Sequence, residues 1–281
     1  MWTSTINMAL ELIQWLIIGF LLILPLLYEL SNTFRYYAKF TLYYALVMLI
    51  STIVIIYGVF RPRDTRNHGF VIMAMKLVKR LYGIEIEIRG KENLESAEPF
   101  ILMCNHQSSL DVLGMFEIWP DRCVSLMKKE LIYAGPFGPA AWLCHAIFID
   151  RLNHEKAIET LQATAKTLQE KKLKVYIFPE GTRNYGGSIA SFKKGGFHLA
   201  VQAQVPIVPV VFSSYSEFYS KREKRFTTGK FIITCLPSVP TKGLKDSDVG
   251  ELTEKVRQQM LDAYNQISLE VTQTKHTNGT K

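Results

Sequence analysis

Residues 40–60, FTLYYALVMLISTIVIIYGVF, run for 21 positions without a single charge. An α-helix rises about 1.5 Å per residue, so this stretch matches the roughly 30 Å hydrocarbon core of a bilayer. A second apolar segment precedes it, Leu12 to Leu27 (LIQWLIIGFLLILPLL), uncharged but interrupted by Gln14 and Pro25. Backbone polar groups in hydrocarbon must be satisfied within the segment, which makes both segments helices. Tyrosine and tryptophan gather at the ends and in the linker, as they do at a membrane interface. A cleavable leader fits poorly, because no basic region or small-residue cleavage site precedes Leu12 and a second apolar segment follows. Residues 1–66 are therefore expected to form a membrane anchor of two hydrophobic helices, over about 12–30 and 40–60. The marginal first segment leaves two forms open, a pair of full spans or a re-entrant hairpin in one leaflet.

Basic residues set the expected orientation. Arg61, Arg63, Arg66, Lys76, Lys79 and Arg80 follow the second segment, against only Arg35 and Lys39 between the two. This bias puts everything after Arg61 in the cytosol. The whole chain carries a formal charge of +8, from 33 Lys+Arg against 25 Asp+Glu. Such an excess attracts anionic lipid headgroups or a polyanionic substrate. No nucleic-acid partner is expected, because basic runs with interleaved aromatics and zinc-ligand spacings are missing. Residues 70–82 read as an amphipathic helix, with Lys76, Lys79 and Arg80 on one side and Phe70, Met73, Leu77 and Leu81 on another. That pattern suits a helix lying at the interface and, equally, a core helix of the following domain. Cys104, Cys123, Cys144 and Cys235 have no C-x-x-C spacing and read as buried free thiols in a reducing compartment.

From Ile84 onward, strand-like and helix-like stretches alternate. Ile84 to Arg89 alternates apolar and polar residues, the signature of a half-buried strand. Unbroken apolar runs follow at Phe100–Cys104, Cys123–Met127, Ala146–Ile149, Val175–Phe178 and Ile207–Phe212, as expected of strands covered on both faces. Apolar residues recur at three and four in 155–170 and 251–267, predicting helices. The expected fold is α/β, a mostly parallel or mixed sheet flanked by helices over 67–271, with a frayed polar tail over 272–281. Asn278-Gly279-Thr280 matches a glycosylation sequon that a cytosolic tail would leave unused.

The chemistry concentrates at strand ends. Phe100–Cys104 is followed by Asn105-His106-Gln107-Ser108-Ser109-Leu110-Asp111. Residues five apart on a straight helix diverge by roughly 140°, so His106 can meet Asp111 only from the turn before a helix. Ser108 or Ser109 then becomes the expected N-cap, with Asp111 in the first turn. A carboxylate there can fix the tautomer of an imidazole and stabilise its protonated form. With no G-x-S-x-G elbow nearby, such a base suits direct activation of a substrate hydroxyl. Taken alone, the segment also fits a capping aspartate beside a solvated histidine.

Two further strand ends carry charge. Phe178-Pro179-Glu180-Gly181-Thr182-Arg183 offers close backbone approach at Gly181, a hydroxyl at Thr182 and a guanidinium fork at Arg183. Glu180 is expected to hold Arg183 or a neighbouring base in place. Asp150-Arg151 ends a third strand, and Phe192-Lys193-Lys194-Gly195-Gly196 opens an apolar helix with positive charge. No metal is expected, since no His/Asp/Glu cluster has ligand spacing, His145 and His154 are isolated, and His198 reads as a packing residue.

With NHQSSLD at 105–111, AIFIDR at 146–151, FPEGTRN at 178–184, FKKGGFHLAVQAQVPIVP at 192–209 and RFTTG at 225–229, the chain resembles the 1-acylglycerol-3-phosphate acyltransferases, in particular their animal alpha type. The similarity covers residues 75–270 and is specific through the order of these motifs. A departure is Gly196, where the family's stretch has Ala. The resemblance implies a glycerolipid-acyltransferase-like sheet in which His106 is the general base and Asp111 its partner. It implies that Glu180, Gly181, Thr182 and Arg183 bind the acceptor's phosphate, assisted by Arg151 and Lys193. It also implies that Val205-Pro206-Ile207-Val208-Pro209 lines the acyl or acceptor site. The implied reaction is transfer from acyl-CoA, a co-substrate rather than a bound cofactor, to lysophosphatidic acid, giving phosphatidic acid for phospholipid and triacylglycerol synthesis. The implied location is the endoplasmic reticulum membrane. Glycerol-3-phosphate or another lysophospholipid is an alternative acceptor, and a non-catalytic binder of anionic lipid is a rival from another class.

Overall fold

The computed structural model describes residues 2–278. Helix α1 (Trp2–Leu30) and helix α2 (Asn32–Gly58) are separated only by Ser31, whose Oγ caps α2 by accepting from Phe34 N at 3.2 Å. Both helices are longer than the expected 12–30 and 40–60. The charged residues that bound the apolar stretches do not end the helices, because nothing between Tyr28 and Lys39 breaks one except the cap at Ser31. Pro25 is accommodated inside α1. Both helices are long and apolar enough to cross a membrane and associate the chain with one.

The two differ in surroundings. No residue of α1 from Thr5 to Leu30 is buried. By contrast, α2 buries Tyr36, Phe40, Tyr43, Ile50, Ser51, Val54 and Gly58 against the α/β body. Contact runs from end to end: Lys39 Nζ donates to Phe226 O at 2.8 Å, and Tyr57 hydroxyl to Asn67 O at 2.7 Å. Asn67 Nδ2 in turn donates to Leu143 O at 2.9 Å.

The body is a seven-stranded sheet in the order β1, β9, β6, β2, β5, β3, β4. These strands are β1 (Ile84–Arg89), β2 (Ile101–Cys104), β3 (Cys123–Lys128), β4 (Ile147–Ile149), β5 (Lys174–Ile177), β6 (Ile207–Phe212) and β9 (Gly229–Cys235). Strands β6, β2, β5, β3 and β4 run parallel, and β9 is antiparallel to β6, with β1 parallel to β9 at the edge. A small antiparallel hairpin, β7 (Tyr219–Ser220) with β8 (Arg225–Phe226), projects between β6 and β9. The expected α/β class holds, with a mixed sheet.

Strand β2 explains why the apolar runs are continuous. Its alternate residues Leu102 and Cys104 join a core shared with α2, α3 (His68–Leu81), α4 (Asp111–Met115) and α5 (Phe137–Leu143). Ile101 and Met103 join a second core built with α6 (His154–Glu170), α7 (Gly195–Ala203) and α8 (Val249–Asn278). With both faces covered, no position on the strand tolerates a polar side chain.

Helix α3 packs against the α/β body, as its core reading expected, and leaves an apolar strip uncovered. Ala74, Met75 and Val78 are buried in the body, whereas Met73, Leu77 and Leu81 are exposed, flanked by exposed Lys76 and Arg80. Helix α8 continues to Asn278 and so passes position 272, where a frayed tail was expected. Gly279 and Thr280 of the sequon lie outside the described residues. All four cysteines are buried and unpaired.

Candidate active site

The carboxyl ends of β2, β5 and β6 meet at one rim, as expected of functional groups in a parallel sheet. Asn105 pins the first of them: its Nδ2 donates to Phe212 O at 3.0 Å and its Oδ1 accepts from Phe212 N at 2.8 Å. Gln107 Nε2 donates to Ser213 O at 3.0 Å. The turn between these two side chains is thereby clamped to the end of β6, and His106 sits in it.

His106 Nδ1 lies 2.7 Å from Asp111 Oδ2. Asp111 is fully buried and opens the five-residue helix α4. Its Oδ2 also accepts from Gln107 N at 2.8 Å, and both its oxygens accept from Ser108 N at 3.1 Å. The carboxylate therefore folds the turn around itself. The cap arrangement differs from expectation: Leu110 occupies the N-cap position, and Ser108 Oγ accepts from Leu110 N at 3.3 Å inside the turn. The turn is tighter than an ordinary cap because Asp111 draws the amides of 107 and 108 inward. Phe178, just past β5, stacks on the imidazole with centroids 3.9 Å apart and planes at 18°. With Nδ1 engaged and the ring fixed, Nε2 is left without a partner among the described residues.

Of the two partners expected for it, Glu180 holds the neighbouring base and not Arg183, and it does not face outward with the residues expected to bind phosphate. It is buried, its Oε1 accepting from His106 N at 2.7 Å and its Oε2 from Ala190 N at 3.0 Å. It braces the His106 turn from within and does not join the outward-facing groups. The physical reason is the turn itself: Gly181 adopts φ +72°, a left-handed conformation that sends residues 180 and 182 to opposite sides. Burial pushes the Glu180 carboxyl above its ordinary value, against the two backbone donors that favour its charged form. Glu180→Gln keeps one acceptor oxygen but turns an amide group toward one of the two N–H donors. We expect it to cost about 1–3 kcal/mol, read as a lowered thermal midpoint in detergent.

The remaining expected residues are exposed. Arg151 Nη1 donates to Gly181 O, and a Cβ on Gly181 would stand 3.3 Å from Lys193 Cγ and 3.4 Å from Arg151 Nη1. Gly181 thus lets two cations converge on the backbone. Lys193 is anchored through its own N–H to Pro179 O at 2.7 Å, and its ammonium has no carboxylate partner among the described residues. Thr182 and Arg183 are exposed, and Arg183 has neither hydrogen bond nor ion pair there. Asn184 N, next along, donates to His106 O at 2.8 Å and ties this loop to the dyad. His198, expected in the core, is instead partly exposed with Nδ1 3.1 Å from Asp246 Oδ1.

Sequence reasoning missed the contribution of the anchor. Tyr43 hydroxyl donates to Ser109 O at 2.8 Å, and Tyr44 hydroxyl to Ser109 Oγ at 2.9 Å. Both tyrosines lie 60-odd positions upstream, in a segment whose apolar composition hides any site. Asn105, by contrast, was visible as a polar residue closing an apolar strand.

A buried carboxylate thus orients a histidine beside a loop that carries exposed cations, and the model of the Acyltransferase family matches residues 85–213, which contain both. The chain is 44% identical to 1-acyl-sn-glycerol-3-phosphate acyltransferase alpha of Bos taurus over 245 residues, 87% of this chain and 85% of that protein. It is 38% identical to the beta form of Homo sapiens, covering 92% of each chain. The crystal structure of the 1-acyl-sn-glycerophosphate (LPA) acyltransferase PlsC from Thermotoga maritima superposes with a TM-score of 0.61 over 83% of this chain and 96% of that one, at 21% identity. That likeness is one of fold. The chain belongs to the 1-acyl-sn-glycerol-3-phosphate acyltransferase family.

Proposed function

We propose that this protein transfers an acyl chain from acyl-CoA to the sn-2 hydroxyl of lysophosphatidic acid, forming phosphatidic acid and free CoA. The observation that carries it is an imidazole with Nδ1 held by buried Asp111 and Nε2 unpartnered among the described residues, tied through Asn184 N to the loop that carries Arg183. Nε2 takes the proton of the hydroxyl as its oxygen attacks the thioester carbonyl. Asp111 stabilises the imidazolium that results. The tetrahedral intermediate then collapses, and the departing thiolate takes the proton back.

The developing oxyanion needs N–H donors that are not already committed. The amides of His106, Gln107, Ser108 and Gly181 are all engaged, by Glu180, Asp111, Asp111 and Phe178 O respectively. The amides of Ser109, Thr182 and Arg183 have no acceptor among the described residues, and we assign the oxyanion to this group. Arg183, Arg151 and Lys193 hold the acceptor's phosphate, so that its hydroxyl meets the base.

The contact of α2 with the body at both ends supports a hairpin lying in one leaflet. A helix of 27 residues is about 40 Å long, and one domain cannot cover both its ends from one side of a bilayer. The basic residues after Arg61 favour the cytosolic face, and the family favours the endoplasmic reticulum.

Arg183→Ala tests the acceptor assignment. We expect kcat/KM for lysophosphatidic acid to fall about 10–100-fold, the loss of one charge-assisted contact of about 1.5–3 kcal/mol. Activity toward a monoacylglycerol lacking the phosphate should change little. An equal loss on both acceptors would remove Arg183 from phosphate recognition.

A further inference from the structure

A second charged feature adjoins the dyad, and the mechanism above does not use it. A cleft of ≈ 750 Å³ opens beside Gln107, which follows His106 in sequence, and Asn184, whose N–H donates to the His106 carbonyl. Its far wall is the β7–β8 hairpin, Lys221-Arg222-Glu223-Lys224-Arg225, four cations with one carboxylate. Glu223 is already shared, 3.0 Å from Arg225 Nη2 and 3.9 Å from Arg222 Nη2. Lys221 and Lys224 meet only aromatic rings: Lys221 Nζ lies 4.4 Å above Tyr185, and Lys224 Nζ lies 5.3 Å from the Tyr37 ring centroid. Tyr185 itself is half-exposed at the mouth of the cleft. The cleft shares no lining residue with the Arg151–Gly181–Lys193 cluster.

Like charges crowded on a short hairpin repel one another, and a bound polyanion relieves that repulsion. The volume lies within the roughly 300–1,000 Å³ of small-molecule sites. The two substrates differ in what they demand of such sites. The acceptor presents one phosphomonoester, for which Arg183, Arg151 and Lys193 suffice. The donor presents a diphosphate, a further phosphate and a flat base, matching several cations beside an exposed aromatic ring. We propose that the cleft between the residue 184–187 loop and the 221–225 hairpin binds the phosphorylated nucleotide end of the acyl donor. Its thioester then reaches His106 from the Gln107 side. The hairpin also touches the anchor through Lys224, so anionic lipid headgroups are the other source of phosphate for the same cations. The contact of the cleft with the dyad turn and the Tyr185 ring in its lining favour the nucleotide.

This inference rests on the proposed acyl-CoA reaction, and its test separates the two. The double variant Lys221→Glu/Arg222→Glu changes only exposed side chains. It is assayed in neutral phosphatidylcholine vesicles with acyl-CoA and with the acyl thioester of N-acetylcysteamine, which lacks the nucleotide. We expect KM for acyl-CoA to rise about tenfold or more, as loss of a charge-assisted contact predicts. KM for lysophosphatidic acid should stay the same, and the wild-type preference for acyl-CoA over the short thioester should collapse by a similar factor. Adenosine 3′,5′-bisphosphate should compete with acyl-CoA on the wild type and not on the variant. Equal losses with both donors, a raised acceptor KM, or an unchanged donor KM with weakened binding to phosphatidylserine vesicles would each overturn the assignment. Should the wild type transfer no acyl group from either donor, the reaction falls. Calorimetric binding of adenosine 3′,5′-bisphosphate, present in the wild type and lost in the variant, would still uphold the site, and no binding to the wild type would end it.

Discussion

His106→Ala is expected to lower kcat for acyl transfer by about 10²–10⁴-fold, the usual worth of a positioned general base. The ring makes one hydrogen bond, to Asp111, and one stacking contact, to Phe178. Its backbone N–H remains available to Glu180 in the variant, so the turn keeps its internal brace. The loss should therefore appear in kcat and leave the KM of both substrates close to wild type, because no substrate phosphate is assigned to the imidazole. Steady-state kinetics on purified protein in mixed micelles decides it. Wild-type turnover would remove the base assignment, and a loss confined to KM would make His106 a binding residue.

Asp111→Asn is expected to be comparably damaging to kcat and additionally to destabilise the fold. The carboxylate accepts from His106 Nδ1, Gln107 N and Ser108 N, with no donor capacity required of it anywhere. An asparagine must turn its NH₂ toward one of these donors. If it faces the ring, the imidazole has to present an unprotonated Nδ1, which moves the proton to Nε2 and removes the base. If it takes the Oδ1 place, the ring and Gln107 N keep Oδ2 as acceptor, but the NH₂ is set against the buried Ser108 N–H. The first arrangement predicts a kcat loss of about 10⁴-fold, as a wrong tautomer produces elsewhere. The second predicts about 1–3 kcal/mol of lost stability. Nitrogen chemical shifts of the His106 ring, together with a melting curve, distinguish the two. A variant with native activity and stability would mean that the buried carboxylate does not orient the base.

Much of this architecture was legible beforehand, for identifiable reasons. Strands covered on both faces carry few polar residues, so β2, β3, β5 and β6 stand out as apolar runs despite the buried Ser125 in β3 and Lys174 at the start of β5. The His106–Asp111 pair was legible from helix geometry, because five-residue spacing closes only across a turn. Strand β9 was missed: Lys230 and Thr234 bound Phe231-Ile232-Ile233, leaving an apolar run of only three residues. Of the two partners expected for Glu180 the structure shows the neighbouring base; its separation from the exposed Thr182 and Arg183 was hidden because a left-handed turn at Gly181 is not legible from adjacency in sequence. The engagement of α2 was invisible for another reason. Tyr36, Phe40, Tyr43 and Val54 look alike whether lipid or protein covers them.

That engagement bears on how the protein can be handled. Removing residues up to Ser31 would strip away a helix that buries no residue from Thr5 to Leu30. Cutting after Gly58 would instead uncover the apolar side of the sheet and release the Ser109 carbonyl from the Tyr43 hydroxyl. A fragment beginning at the α/β portion is therefore expected to lose the hydroxyl that grips the His106 turn from outside, because an apolar helix of the anchor is also part of the scaffold of that turn.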